Sequence, residues 1–167
     1  PFLKKYLSWR GQLSVFSISA LLVSQPAPPV YALSKNPVIH AIYKGMAKDL
    51  TRVFIHGLES SSQGNKGRFF RERYPDMIIE DFTGPFDARM EKLERLLQDR
   101  DSLILVGSSY GGLMATVYAC RHEGRVARLV LLAPAIHLEP IEPYRNRRLR
   151  VPVSIFHGAN DEVVPLE

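Results

Sequence analysis

Short apolar runs alternate with helix-like segments from residue 51 onward. The apolar runs are RVFIHG, DMIIEDF, SLILVG, RLVLLAPA and VPVSIFHG, at residues 52–57, 76–82, 102–107, 128–135 and 151–158. The helix candidates lie at residues 65–74, 86–100 and 111–121. Continuous apolar strands that alternate with helices predict an α/β fold, with a mostly parallel sheet and helices on both of its faces. In such sheets ligands bind at the carboxyl ends of the strands.

The third strand runs directly into a glycine-rich turn, LILVGSSYGGLMA at residues 103–115. Gly107, Ser109 and Gly111 form the pattern G-x-S-x-G. A sharp strand-to-helix bend holds its central residue in a strained backbone conformation, and small neighbours are needed because the two backbones approach closely. The helix that follows directs its amides and the positive end of its dipole at the bend. The pattern predicts Ser109 as a nucleophile, and the alternative is a turn that needs glycine for packing alone.

The first strand ends in His56-Gly57, followed by a loop that begins with Leu58. Acyl transfer needs two donors aimed at the developing oxyanion. We assign these donors to the backbone amides of Leu58 and Tyr110, the latter being the residue after the nucleophile. We expect His56 and Gly57 to lie in the substrate-binding region. The position of His56 before the glycine favours a loop-shaping role over that of a catalytic base.

Two further candidate site residues follow the fourth and fifth strands. The fifth strand leads into FHGANDEVVP (residues 156–165), whose turn presents Asp161. A carboxylate at this place can orient an imidazole and stabilise its cationic form. The alternative is that Asp161 caps the next turn, with the adjacent Glu162 as a substitute acid. His137 follows the fourth strand, and we expect it to line the mouth of the substrate pocket.

The composition excludes several other classes of protein. The 167 residues carry a formal net charge of +5, and part of the excess lies in RNRRLR at residues 145–150. We interpret this run as a solvated loop, with an acidic-ligand patch as the alternative. No zinc-ligand spacing or nucleic-acid signature accompanies it, so the predicted partner is a small molecule and no nucleic acid, metal or cofactor is predicted. The single cysteine, Cys120, excludes an internal disulfide.

Residues 1–50 differ from the rest of the chain, and we predict a domain boundary before residue 51. Residues 1–32 are interpreted either as a secretory signal, with a basic start and an apolar stretch at 13–23, or as an extension of another kind. The stretch is too short for a membrane span, which needs about 20 residues. A proline-rich linker follows at 25–30. The expected location is cytoplasmic, or periplasmic or secreted if residues 1–32 are a signal.

Three segments together resemble the α/β-hydrolase family. They are a strand followed by H-G and a loop, the G-x-S-x-G elbow, and a strand followed by H-G-x-x-D-x-x-V-P, in that order between residues 52 and 167. More narrowly, HGLESSSQGNKGRFF with DFTG and GSSYGG is similar to small bacterial esterases and thioesterases with little or no cap domain. The resemblance implies a Ser, Asp, His triad in that chain order. It also implies hydrolysis of carboxylic esters or thioesters through an acyl-enzyme.

The histidine of the triad departs from the family pattern. Family members carry it on a loop after one further strand and helix, whereas all five histidines here precede Asp161: His40, His56, His122, His137 and His157. We therefore expect residues 51–167 to form an incomplete hydrolase domain, truncated at its C-terminus, within a longer gene product. A serine without a base is a poor nucleophile at neutral pH, so this chain should be nearly inactive. The alternative is a non-catalytic member that binds a small molecule or a protein partner.

Overall fold

A computed structural model describes residues 50–161 and Val164. Its five-stranded sheet has the order β2-β1-β3-β4-β5, and every pairing is parallel. The strands are β1 (Thr51–Ile55), β2 (Ile78–Ile79), β3 (Leu103–Ser108), β4 (Val126–Leu132) and β5 (Val153–Phe156). The helices are α1 (Asn65–Arg73), α2 (Phe86–Leu97) and α3 (Tyr110–Arg121), with 3-10 helices at Glu123–Arg125 and Glu139–Tyr144. The predicted α/β fold with a parallel sheet is confirmed.

Alternate residues of β1 face opposite layers of the fold. Val53 and Ile55 are fully buried in the main apolar core, to which α2 contributes residues such as Leu93. Phe54 lies between them and faces the other side, where its ring centroid is 4.8 Å from that of Phe70 in α1. Helices therefore cover both faces of the sheet, as the sequence predicted.

The second strand is much shorter than the prediction of residues 76–82. It covers Ile78–Ile79, after which the chain leaves the ladder. Just beyond the strand the chain contacts the loop after β1, where the backbone amide of Ser62 donates to Asp81 Oδ1 at 2.5 Å. This hydrogen bond holds the pKa of the Asp81 carboxyl below its usual value. A tertiary contact of this kind leaves no periodic signal in the sequence.

The last two strands also end earlier than predicted. β4 stops at Leu132 because Ala133 has a φ of 44°, a left-handed conformation that a strand does not contain. The Ala133 amide then donates to the carbonyl of Phe156 at 2.7 Å. β5 spans four residues and is the edge strand on its side of the described sheet, with Val153 and Ile155 exposed.

The expectations for the N-terminal segment lie outside the described residues. They concern the signal-like residues 1–32, the linker at 25–30 and the domain boundary before residue 51. Within residues 50–161 and Val164, no helix has both the length and the apolar character that crossing a bilayer requires.

Candidate active site

Ser109 occupies a sharp bend between β3 and α3. Its backbone has φ 52° and ψ −118°, which is a positive φ at a residue other than glycine. Hydrogen bonds to the end of β4 and to the segment after it fix this conformation. The Ser109 amide donates to the carbonyl of Leu132 at 2.9 Å, and the Ser109 carbonyl accepts from the Ala135 amide at 3.1 Å. A strained residue held by its surroundings in this way is typical of functional sites.

The glycines around Ser109 allow close contact between backbones. A Cβ on Gly111 would overlap the carbonyl oxygens of Ile55 and His56, so α3 begins directly against the end of β1. A Cβ on Gly107 would lie 2.6 Å from the Cα of Gly112. The G-x-S-x-G spacing therefore follows from the packing of the bend, as the sequence indicated.

The loop after β1 lies directly against the serine. An added Cβ on Gly57 would be 3.4 Å from Ser109 Cβ and 3.8 Å from Ser109 Oγ, which is ordinary van der Waals contact. The amide of the next residue, Leu58, has no acceptor among the described residues. Tyr110 is the first residue of α3, where a helix leaves its amides without internal partners. Of the two predicted oxyanion donors, Leu58 thus follows Gly57 in the loop beside Ser109, and Tyr110 follows Ser109 at the start of α3.

His56 has backbone partners at both ring nitrogens. The amide of Phe82 donates to Nε2 at 2.9 Å, and Nδ1 lies 2.7 Å from the carbonyl oxygen of Gly57. Because Nε2 accepts, the network assigns the proton to Nδ1, which donates to Gly57. The ring is 2% exposed and joins the loop after β1 to the loop after β2. These contacts support the loop-shaping role.

Replacing His56 with alanine should destabilise the fold. The substitution removes both hydrogen bonds and leaves the buried Phe82 amide without its acceptor, which costs about 1–3 kcal/mol. Urea denaturation measures the change in the free energy of unfolding. The matched control is His137→Ala, at an exposed histidine, for which we expect a change within about 0.5 kcal/mol. Equal changes in the two variants would contradict the cross-linking role of His56.

Asp161 caps the turn after β5. Its Oδ1 accepts a hydrogen bond from the Val164 amide at 2.9 Å, and its amide donates to the Gly158 carbonyl at 3.3 Å. Its Oδ2 lies 4.0 Å from Nε2 of His157, and that nitrogen is 2.6 Å from the carbonyl oxygen of Val164. The hydrogen bond from Val164 agrees with the capping alternative and uses one carboxylate oxygen of Asp161. The role of Asp161 as an orienting carboxylate stays a proposal.

The remaining described histidines differ in position and surroundings. His122 follows the C-terminal end of α3, opposite the bend, and its Nε2 is 2.6 Å from Glu94. His137 is exposed in the turn after β4, two residues beyond the Ala135 amide that binds the Ser109 carbonyl. That placement is compatible with the predicted pocket mouth.

The predicted basic loop is partly neutralised by its neighbours. Arg145 pairs with Glu142, and Arg147 lies 3.9 Å from Glu123. All of these arginines are exposed, as expected of a solvated loop.

Sequence reasoning missed Arg89, which is 5% exposed. Its guanidinium carbon lies 5.4 Å from the centre of the Tyr110 ring, next to the bend. The sequence did contain a signal for Arg89, because position 89 lies on the same apolar face of the helix as Phe86 and Met90, where an arginine is unusual.

Among the described residues, no three His, Cys, Asp or Glu side chains come together as a metal site.

A family model described as "alpha/beta hydrolase fold" matches residues 57–146, more than half of the chain. The chain belongs to the α/β-hydrolase fold family. The match covers the loop that begins at Gly57 and the bend at Ser109, but it ends before Asp161. The resemblance inferred from the motifs is therefore confirmed for the family and the fold.

One curated relative is the (Lyso)-N-acylphosphatidylethanolamine lipase of Bos taurus, which is 23% identical over 154 residues. The alignment covers 87% of this α/β-hydrolase chain and 42% of the lipase, so the chain spans less than half of that relative.

Two solved structures share the fold. A yden-like hydrolase from Pectobacterium atrosepticum has a TM-score of 0.54 and 23% identity, with 78% of this chain and 74% of that one covered. Mouse alpha/beta hydrolase domain-containing protein 10 has a TM-score of 0.56 and 20% identity, with 69% and 71% covered.

Proposed function

We propose that this α/β-hydrolase-fold protein is a serine hydrolase of carboxylic esters or thioesters that works through an acyl-enzyme. The observation that carries the proposal is the strained backbone of Ser109 at the start of α3, in contact with the loop after β1. The name of the bovine relative, a lipase, supports an ester as the substrate class.

The proposed reaction begins with attack of Ser109 Oγ on the carbonyl carbon of the substrate. The Oγ–H proton passes to a general base, and the carbonyl oxygen becomes an oxyanion. The amides of Leu58 and Tyr110 donate hydrogen bonds to that oxygen, and loss of one such donor typically costs about 2.7–4 kcal/mol. Collapse of the intermediate expels the alcohol or thiol, which takes up the proton. Water then hydrolyses the acyl-enzyme and releases a carboxylic acid.

The general base is assigned to none of the described histidines. Both ring nitrogens of His56 are engaged by the backbone of Gly57 and Phe82, His122 pairs with Glu94, and His157 contacts the turn that Asp161 caps. His137 is kept as a substrate-binding residue at the pocket mouth. In this proposal Asp161 orients the imidazole of a general base, and none of the described histidines supplies that imidazole. We therefore expect slow turnover without an added base.

Added imidazole is expected to act as the base that none of the described histidines supplies. Hydrolysis of p-nitrophenyl acetate and of an acetyl thioester is measured with the 167-residue chain at increasing imidazole concentrations, and the rate of imidazole alone is subtracted. We expect a small rate without imidazole and a protein-dependent rate that rises with its concentration. A full rate without imidazole would contradict our assignment of the base, and no protein-dependent rate at any concentration would contradict the hydrolase.

A non-catalytic role in small-molecule or partner binding is the second candidate. The observation that favours it is the set of contacts at His56, His122 and His157, which engage ring nitrogens that a base would need. This candidate predicts no protein-dependent rate in the same assay.

A further inference from the structure

Arg89 carries a buried charge that the described part of the fold does not neutralise. Its Nε donates to the Gly84 carbonyl at 2.8 Å, and its guanidinium stacks over the Tyr110 ring. Nη1 is buried and has no hydrogen-bond partner among the described residues, and no carboxylate of those residues lies within ion-pair distance. Burying a charged group without a partner is costly, so such groups are normally paired.

Arg125 shows how the same fold satisfies a structural arginine. Its Nη2 donates to the carbonyl of Gln98 at 2.8 Å, and its Nε donates to the carbonyl of Arg100 at 3.0 Å. Its Nε also lies 3.3 Å from Asp101 Oδ1. Arg89 is more buried than Arg125 and yet has one carbonyl and one ring face as its partners. Arg89 therefore has an unused donor and no counter-charge among the described residues.

The location of Arg89 relates that anion to the bend. Tyr110 directly follows Ser109, and its ring is held from two sides by the first turn of α2. Phe86 packs edge-on against the ring with centroids 6.0 Å apart, and Arg89 stacks over it. A negative group paired with Arg89 would therefore lie near the ring of Tyr110, the residue whose amide is the proposed oxyanion donor.

We propose that Arg89 binds a carboxylate carried by the substrate, so that the site favours esters with a second, anionic end. This inference rests on the proposed function, because it treats the bend at Ser109 as the substrate site. A guanidinium binds a carboxylate through charge-assisted hydrogen bonds, which are about twice as strong as neutral ones. The unpartnered Nη1 is the donor that such a group would use.

A matched pair of esters tests the inference without relying on catalysis. Monomethyl glutarate and methyl pentanoate share the same methyl ester and differ in a terminal carboxylate against a methyl group. Their binding to the Ser109→Ala chain, which cannot react at residue 109, is measured by calorimetry and by the shift in melting temperature. We expect monomethyl glutarate to bind at least about tenfold more tightly than methyl pentanoate.

Arg89→Met on the same background should remove this preference. Because the charge is uncompensated, we also expect the Arg89→Met chain to melt no lower than its parent. Arg89→Lys keeps the cation and should keep part of the preference.

Equal responses to the two esters in the parent, including no response, would overturn the inference. So would a preference that survives in Arg89→Met, or failure of Arg89→Met to fold together with a folded Arg89→Lys that shows no preference. None of these results bears on Ser109 as a nucleophile, which is tested separately by the imidazole-dependent rate.

Discussion

Replacing Ser109 with alanine is expected to reduce the imidazole-dependent hydrolysis of p-nitrophenyl acetate to the rate of imidazole alone. The Oγ atom is the proposed site of acylation, so its removal eliminates the acyl-enzyme rather than slowing one step. The proposed oxyanion donors remain, but they have no covalent intermediate to stabilise. Initial rates at a fixed imidazole concentration measure the effect.

Ser108→Ala is the matched control for this variant. Ser108 is the neighbouring serine, the last residue of β3, and it is 7% exposed. Its hydroxyl has no role in the proposed reaction, so we expect the Ser108→Ala chain to keep the imidazole-dependent rate. Loss of activity in Ser108→Ala with retention in Ser109→Ala would move the nucleophile to residue 108.

Gly111→Ala is expected to destabilise the protein by about 3 kcal/mol, at the upper end of the effects of overpacking. The added Cβ meets two backbone oxygens, those of Ile55 and His56, which cannot turn away as a side chain can. Alanine otherwise favours a helix over glycine by roughly 1 kcal/mol, so a loss of stability reports the contact between α3 and β1. Urea denaturation measures it.

Gly124→Ala controls for the general effect of replacing a glycine. An added Cβ at Gly124 meets nothing within 4 Å. Alanine restricts the unfolded chain, so we expect an unchanged or slightly higher stability, by about 0.4–1 kcal/mol at most. A Gly111→Ala chain as stable as Gly124→Ala would show that the strand and the helix are not in close contact at the bend.

The sheet and the bend were predictable because their signals are local. Each of β1 and β3 is a continuous apolar run ended by a turn, and the G-x-S-x-G spacing around Ser109 reflects packing within a few residues of the chain. The early end of β2 was not predictable. It coincides with the contact between Asp81 and Ser62, which are 19 residues apart in the chain.

The candidate site likewise combines features that local sequence signals predict with features that depend on tertiary contacts. The positions of Gly57 and Ser109 follow from motifs at strand ends, and the structure places them so close that a Cβ added to Gly57 would lie 3.4 Å from Ser109 Cβ. The lack of a hydrogen-bond partner at Arg89 Nη1 depends on which groups surround it in three dimensions. A sequence pattern can indicate that Arg89 is buried, but not that it lacks such a partner. For Asp161, capping and orienting a base both favour a carboxylate at a strand end, so the residue type alone did not separate them.

The most direct test of the account is to locate a covalent adduct at the bend. The chain is incubated with a fluorophosphonate in the presence of imidazole, and tandem mass spectrometry of the digested protein identifies the modified residue. We predict one phosphonyl group per chain, on the oxygen of Ser109. An adduct on another residue, or an unmodified chain after prolonged incubation, would contradict the claim that Ser109 is a nucleophile.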